Sequence, residues 1–119
     1  MNLYQGDFLE QDLYEQWTLL IREHLRLDYL DILDHQSRLF FLQGQYDASI
    51  QTGQRILERD RCREDIHCLI MRSYARLGQI SQALRQFNLC QEVLRADLDT
   101  ETSAVTIALS EQIRAHKDV

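Results

Sequence analysis

The sequence predicts an all-α chain of stacked antiparallel helix pairs, and three observations carry that expectation. Proline is absent and only four glycines occur in 119 residues, so few positions force the backbone out of a helix. Apolar residues return at steps of three and four, the period of one helix face. Gly44 and Gly78 stand 34 positions apart, each at the end of such a stretch.

The first stretch is the longest. Between Asp7 and Gln43 there is neither glycine nor proline, and Leu13, Trp17, Leu20, His24 and Leu27 form a stripe in alternating steps of four and three. Leu30, Leu33, Ser37 and Phe40 continue in mostly three-residue steps, so the buried face rotates around the axis. One long helix from about Asp12 to Gln43 is expected. Trp17, the only tryptophan, is read as a core residue of the stripe rather than as an anchor for a partner.

Gly44 is then expected to end the helix in the left-handed conformation and Asp47 to cap the next one, with the same device repeated at Gly78 and Ser81. A 34-residue period is the signature of tetratricopeptide helix pairs. Apolar character recurs at that offset, pairing Phe40 with Tyr74, Tyr46 with Ile80, Ile50 with Leu84 and Ile56 with Cys90. Small residues at Ala48, Ser49 and Ala83 let the second helix of each pair approach the first. Ile66, Ile70, Tyr74 and Leu77 before Gly78, and Ala83, Leu84, Phe87 and Val93 after it, predict two antiparallel helices. A final helix from Thr102 or Ser103 to Arg114 is expected to bury Val105, Ala108, Leu109 and Ile113 and to cap the stack. The expected fold is a tetratricopeptide-like stack with a long first helix and a C-terminal capping helix, residues 1–119 forming a single domain.

Composition narrows the function classes. Hydrophobic residues at 45% and charged residues at 27% suit a folded soluble domain. No apolar run is long enough to cross a bilayer, and the first ten residues lack the Lys or Arg that opens a secretory signal, so a cytoplasmic location and no membrane partner are expected. A net charge of -6 argues against direct phosphate neutralisation, so DNA is expected to be reached only through another domain. Cys62, Cys68 and Cys90 are odd in number and lack paired spacing, which reads as free thiols in a reducing compartment. His67, Cys68 and Cys62 have poor spacing for a metal, because neighbours on a helix point about 100° apart. Cys90, matched to Ile56, reads as a buried small hydrophobe. No nucleophile motif or phosphate loop occurs, so neither an enzyme nor a cofactor is expected.

The segment Leu3-Tyr4-Gln5-Gly6-Asp7-Phe8-Leu9, followed by Trp17, Arg22, Leu25 and Tyr29, resembles the bacterial transcriptional activator domain of antibiotic-regulatory-type transcriptional regulators. Asp60-Arg61-Cys62-Arg63-Glu64-Asp65-Ile66-His67 is similar to that family's aspartate-proline, arginine-glutamate and histidine segment. Met71 to Gly78 and Ala83 to Phe87 follow in the family's order, and the resemblance runs from Leu3 to Arg114. Arg61 stands where the family commonly has proline, and Asp97 to Thr102 lacks the glycine and proline usual before the last helix. In such regulators the domain typically follows a winged-helix DNA-binding domain or sits within a larger signalling ATPase. The chain therefore reads as an excised domain or a free-standing relative of one.

The resemblance implies a protein-interaction and regulatory module of a bacterial transcription regulator, coupling signal or partner binding to transcription activation. The alternative is a free-standing adaptor that binds a peptide segment outside transcription. Arg38, Arg72 and Arg76 are the candidate partner-binding residues. Arg38 aligns with Arg72 at the 34-residue offset, and Arg72 and Arg76, four apart, share a helix face. They belong to the first helices of successive pairs, which line the concave surface of such stacks. Two readings stay open: a basic groove that takes an acidic protein segment, or a solvated face paired with neighbours such as Asp34, Asp65 or Glu64.

Overall fold

The computed structural model describes residues 5–115, with side chains described for 13–115. These form five helices and no strand: α1 (Gln5–Leu42), α2 (Tyr46–Arg59), α3 (Glu64–Arg76), α4 (Ile80–Leu98) and α5 (Ala104–Arg114). The all-α expectation holds, with the long first helix and the short last one in place. The Leu3 to Leu9 segment of the family resemblance lies outside the residues whose side chains are described. The chain divides into two compact units, Met1–Ile32 and Leu33–Val119.

In the first unit the stripe does not form a core. Leu13, Trp17, Leu20 and Leu27 all stand out to solvent, Trp17 at 62% exposure. The core reading of Trp17 is therefore corrected. Periodicity shows which residues share a face, but among the described residues this unit offers one helix and no second element to cover that face. His24 turns instead to Asp28 one turn on, at 3.4 Å.

In the second unit α2 packs on α3, α3 on α4, α4 on α5, and α3 also on α5. Its fully buried side chains include Ile56, Ile66, Ile70, Met71, Cys90 and Ile113. The repeat is visible in the packing, because Ile56 and Cys90 are both enclosed, as are Ser49 and Ala83. Ser49 Oγ donates to the Ser37 carbonyl at 2.8 Å, which fastens α2 to α1 at a place where two small residues meet. Gly53 is needed for the next contact, since a Cβ there would lie 2.9 Å from the Ile70 side chain. Burial pushes the Cys90 thiol up to about 12, consistent with its apolar role.

Gly44 and Gly78 both adopt φ 77°. The turn beyond each is the same: Gln45 N–H donates to Phe40 O at 2.8 Å, and Gln79 N–H to Tyr74 O at 2.9 Å. The following helices start at once, with Gln45 and Gln79 at the N-cap positions and no side-chain cap. Asp47 and Ser81 therefore lie inside the first turn rather than capping it, because the turn consumes only the glycine and one further residue. Asp47 still favours α2 electrostatically, its charge lying near the positive end of the helix dipole. At the end of α4, Asp99 takes the left-handed conformation, φ 52°, in the stretch where the resemblance implied a glycine; aspartate tolerates that region better than most residues. Arg61 from the α2–α3 connection pairs with Asp97 at 2.9 Å, so the two stretches that depart from the family pattern meet.

Ser103 caps α5, its Oγ accepting from Thr106 N–H. Leu109 and Ile113 are buried as expected, but Val105 and Ala108 are exposed, and Thr106 and Ser110 are buried instead. The inward face is thus rotated from the purely apolar reading, because polar bonds described below hold Thr106 inward.

His67 is buried with both ring nitrogens engaged. Nε2 lies 2.8 Å from the Arg61 carbonyl, an acceptor only, so Nε2 carries the proton and Nδ1 accepts from Gln86 Nε2 at 2.7 Å. Cys68 Sγ meets Thr106 Oγ1 at 3.2 Å, and Cys62 Sγ turns toward Val93 O and Asp97. The three side chains address different partners and do not converge.

Two expectations follow. Nothing lies within 4 Å of a Cβ at Gly44 or Gly78, so Gly44→Val and Gly78→Val report backbone strain alone. Each is expected to lower stability by about 1 kcal/mol or more in urea denaturation; unchanged midpoints would contradict the left-handed turns. Burial depresses the proton affinity of His67 below the usual histidine value, despite its bond to Arg61 and the carboxylates of Glu64 and Asp65. The unfolded chain takes up that proton at about pH 6.5, before the folded one, so stability is full above that pH and falls as pH drops toward the folded value. The thermal midpoint should fall between about pH 7 and pH 5, and His67→Gln should flatten that slope. An equal slope in the variant would acquit His67.

Candidate partner-binding groove

Within the second unit, the last turns of α1 lie beside α3, and α3 beside α5. Two open depressions follow this face. One, about 330 Å³, is lined by Arg38, Glu64, Asp65, Cys68 and Arg72 and, at the start of α5, by Ser103, Val105 and Thr106. The other, about 390 Å³, is lined by Arg38, Phe41, Leu42, Leu69 and Arg72. Arg38 and Arg72 line both, so the depressions meet at this pair.

Arg38 is not a bare charge. Its Nε donates to Asp34, one turn back on α1, and its Nη2 to Asp65 of α3 at 2.8 Å. Arg63, just ahead of α3, donates to the same two carboxylates, at 2.7 Å to Asp34 and 2.8 Å to Asp65. Two guanidiniums and two carboxylates thus close a ring of zero net charge between α1 and α3. Partial burial pushes the Asp34 carboxyl up, but the bonds from Arg63 and Arg38 outweigh it and leave the group below the usual carboxylate range. The Arg63 guanidinium likewise holds Asp65 low against its desolvation. Asp65 and Asp34 pair with Arg38, as one of the two sequence readings allows; Glu64 does not.

Glu64 serves α5. Its Oε2 accepts from Ser103 N–H and Ser103 Oγ, both at 2.8 Å, and from Thr106 Oγ1. Burial raises the proton affinity of Glu64, but the bonds from Thr106 and Ser103 overcome that and keep it ionised below the usual range. With its proton committed to Glu64, Thr106 Oγ1 is left to accept from the Cys68 thiol.

Arg76 occupies the other end of the face. Its guanidinium carbon lies 5.6 Å from the centre of the Phe41 ring, and Nη1 donates to the Tyr46 hydroxyl at 3.4 Å. Phe41 and Tyr46 meet edge to face, 5.3 Å between centroids. Arg72, half-buried, stands between Arg38 and Arg76, one turn before Arg76 on α3. The structure therefore gathers the three arginines around Phe41: Arg38 and Arg72 share its depression, and Arg76 lies on its ring.

Sequence reasoning missed Arg63 and the aromatic pair. Arg63 had a signal, since it stands two residues before Asp65 in a charge-dense connection, but its second partner Asp34 is 29 positions away. Phe41 breaks the helical stripe beside Phe40, which marks it as a residue of the adjoining face.

The sequence profile of the family described as "Bacterial transcriptional activator domain" matches residues 1–114. No curated protein and no solved structure gives a significant match. The profile spans the paired helices, both glycine turns and the arginine-bearing face, and the chain belongs to the bacterial transcriptional activator domain family.

Proposed function

We propose that this transcription-activator-type helical domain works by holding an acidic segment of a protein partner on the α1–α3–α5 face, coupling partner or signal binding to transcription activation. The observation that carries the reading is the arrangement of Arg72 and Arg76 beside an apolar floor of Phe41, Leu42 and Leu69. Guanidinium groups grip carboxylates with paired hydrogen bonds, and an apolar floor gives a bound segment surface to bury. Arg38 has a different role in this reading. Its charge is balanced by Asp34 and Asp65, so it stiffens the wall, while the Arg72 and Arg76 guanidiniums offer hydrogen-bond donors to a bound carboxylate.

A module of this kind needs no cofactor and no chemistry of its own. Contact with DNA falls to another domain, because a chain of net charge -6 lacks the surface that phosphates require. Among the described residues, no helix is long and apolar enough to cross a membrane. Action in the cytoplasm, where transcription takes place, is part of the same reading.

The test uses the chain as bait in a bacterial lysate beside Arg72→Glu/Arg76→Glu. The parent should capture an acidic partner that is released as salt rises, and the variant should lose it while circular dichroism keeps the helical signal. A partner held equally by the folded variant would move the recognition surface elsewhere. Random duplex DNA should pass unshifted in retardation gels at physiological salt; salt-sensitive retardation would contradict the assignment of DNA contact to another domain.

A further inference from the structure

Arg38, Arg63, Arg72 and Arg76 stand around the groove, and all but Arg72 are engaged. Arg38 and Arg63 share Asp34 and Asp65, while Arg76 rests on the Phe41 ring and donates to the Tyr46 hydroxyl. Arg72 is different. It lines both depressions and is half-buried, yet its guanidinium donates to no other group among the described residues. A charge that has given up part of its water without gaining a partner favours the arrival of an opposite one.

The two sides of Arg72 differ. Toward α1 the depression offers Phe41, Leu42 and Leu69, with Leu42 exposed, and no acid. Toward α5 it offers Glu64, whose carboxylate is held by Ser103 and Thr106, neutral donors that leave its charge uncompensated. Asp65 beside it is neutralised within the ring. We infer that Arg72 anchors a single carboxylate of the partner segment, and that an aliphatic side chain next to that acid settles on Phe41, Leu42 and Leu69. This assignment rests on the partner-holding role proposed above.

A run of acids fits poorly. On the α1 side a second carboxylate would lose water over an apolar floor, and on the α5 side it would face Glu64. Arg76 lines neither depression, so within them Arg72 is the one arginine left to receive an acid. The face thereby distinguishes an isolated acid with an aliphatic neighbour from acidity as such. Both depressions are open, at about 330 and 390 Å³, which suits side chains entering from a segment laid across them rather than an enclosed small ligand.

Titration of the isotope-labelled 119-residue chain with capped synthetic peptides, read by its backbone and arginine side-chain NMR signals, tests the inference. One peptide sets a single leucine next to a single glutamate in a glycine–serine background, made in both residue orders. A second replaces that glutamate by glutamine, and a third carries a run of glutamates and no leucine. The leucine–glutamate peptide, in its better order, should move the signals of Arg72, Leu42 and Leu69. It should bind at least about tenfold more tightly than the glutamine peptide and about fivefold more tightly than the glutamate run. Arg72→Gln, with its helical signal kept, should erase the difference between glutamate and glutamine, and the glutamine peptide tests the same contact on the unaltered protein. Leu42→Ser should weaken the leucine–glutamate peptide and leave the glutamate run unchanged. Equal affinity for glutamate and glutamine in the parent, or a folded Arg72→Gln that keeps the preference, overturns the anchor. A glutamate run that binds as tightly as the leucine–glutamate peptide overturns the pairing of acid and aliphatic neighbour, while an acidic segment on this face still stands. Groove signals that no peptide moves at millimolar concentration overturn the anchor and the partner-holding role together.

Discussion

Six consecutive residues of α3, Ile66 to Met71, are buried, which a helix covered on one face alone does not show. The enclosure comes from different neighbours on each side. Gly53 of α2 admits Ile66 and Ile70 at close range, Gln86 of α4 meets His67, and Leu109 and Ile113 of α5 cluster with Cys68 and Met71. Leu69 faces the depression beside Phe41. Encirclement of α3 thus fixes the other helices of the second unit, and the polar groups caught inside must find partners there. His67 does so through Arg61 and Gln86, each fixed by its own element.

The same helix organises the electrostatics. Its first turn offers two neighbouring acids for two separate tasks, Asp65 closing the charge ring with α1 and Glu64 binding the start of α5. Exposed ion pairs contribute little each, but a ring in which every guanidinium meets both carboxylates fixes geometry more than a single pair does. Its neutrality also has an effect on the groove. With Arg38 and Arg63 compensated, the ring itself adds no net charge to this face.

The parts of the fold legible in the sequence were those set by local backbone chemistry and by a repeat. Gly44 and Gly78 announced left-handed turns, and the 34-residue offset placed Ile56 and Cys90 in equivalent buried positions. What could not be read was which faces acquire neighbours. The stripe through Trp17 has impeccable helical spacing and no cover among the described residues, whereas Thr106, a polar residue, is buried because Glu64 and Cys68 satisfy its hydroxyl. The three arginines were picked out by register; Arg38 and Arg72 line one depression with Phe41, and Arg76 lies on its ring. Asp34, one turn before Arg38, and Asp65 were legible as possible partners, whereas Phe41 and Tyr46, 35 and 30 positions before Arg76, carry no local signature.

The attachment of α5 has a consequence for motion. Among α2 to α5, helix contacts join sequence neighbours, with α3 and α5 the one exception among the described residues. Such short-range wiring lets the stack form quickly and makes an outer helix the first to open. That helix also supplies one wall of the groove, Ser103, Val105 and Thr106. Opening of the Glu64 clasp would therefore change the width of the groove. Such an opening would be a local unfolding, on microseconds or longer, and so slower than the turning of the side chains that line the face.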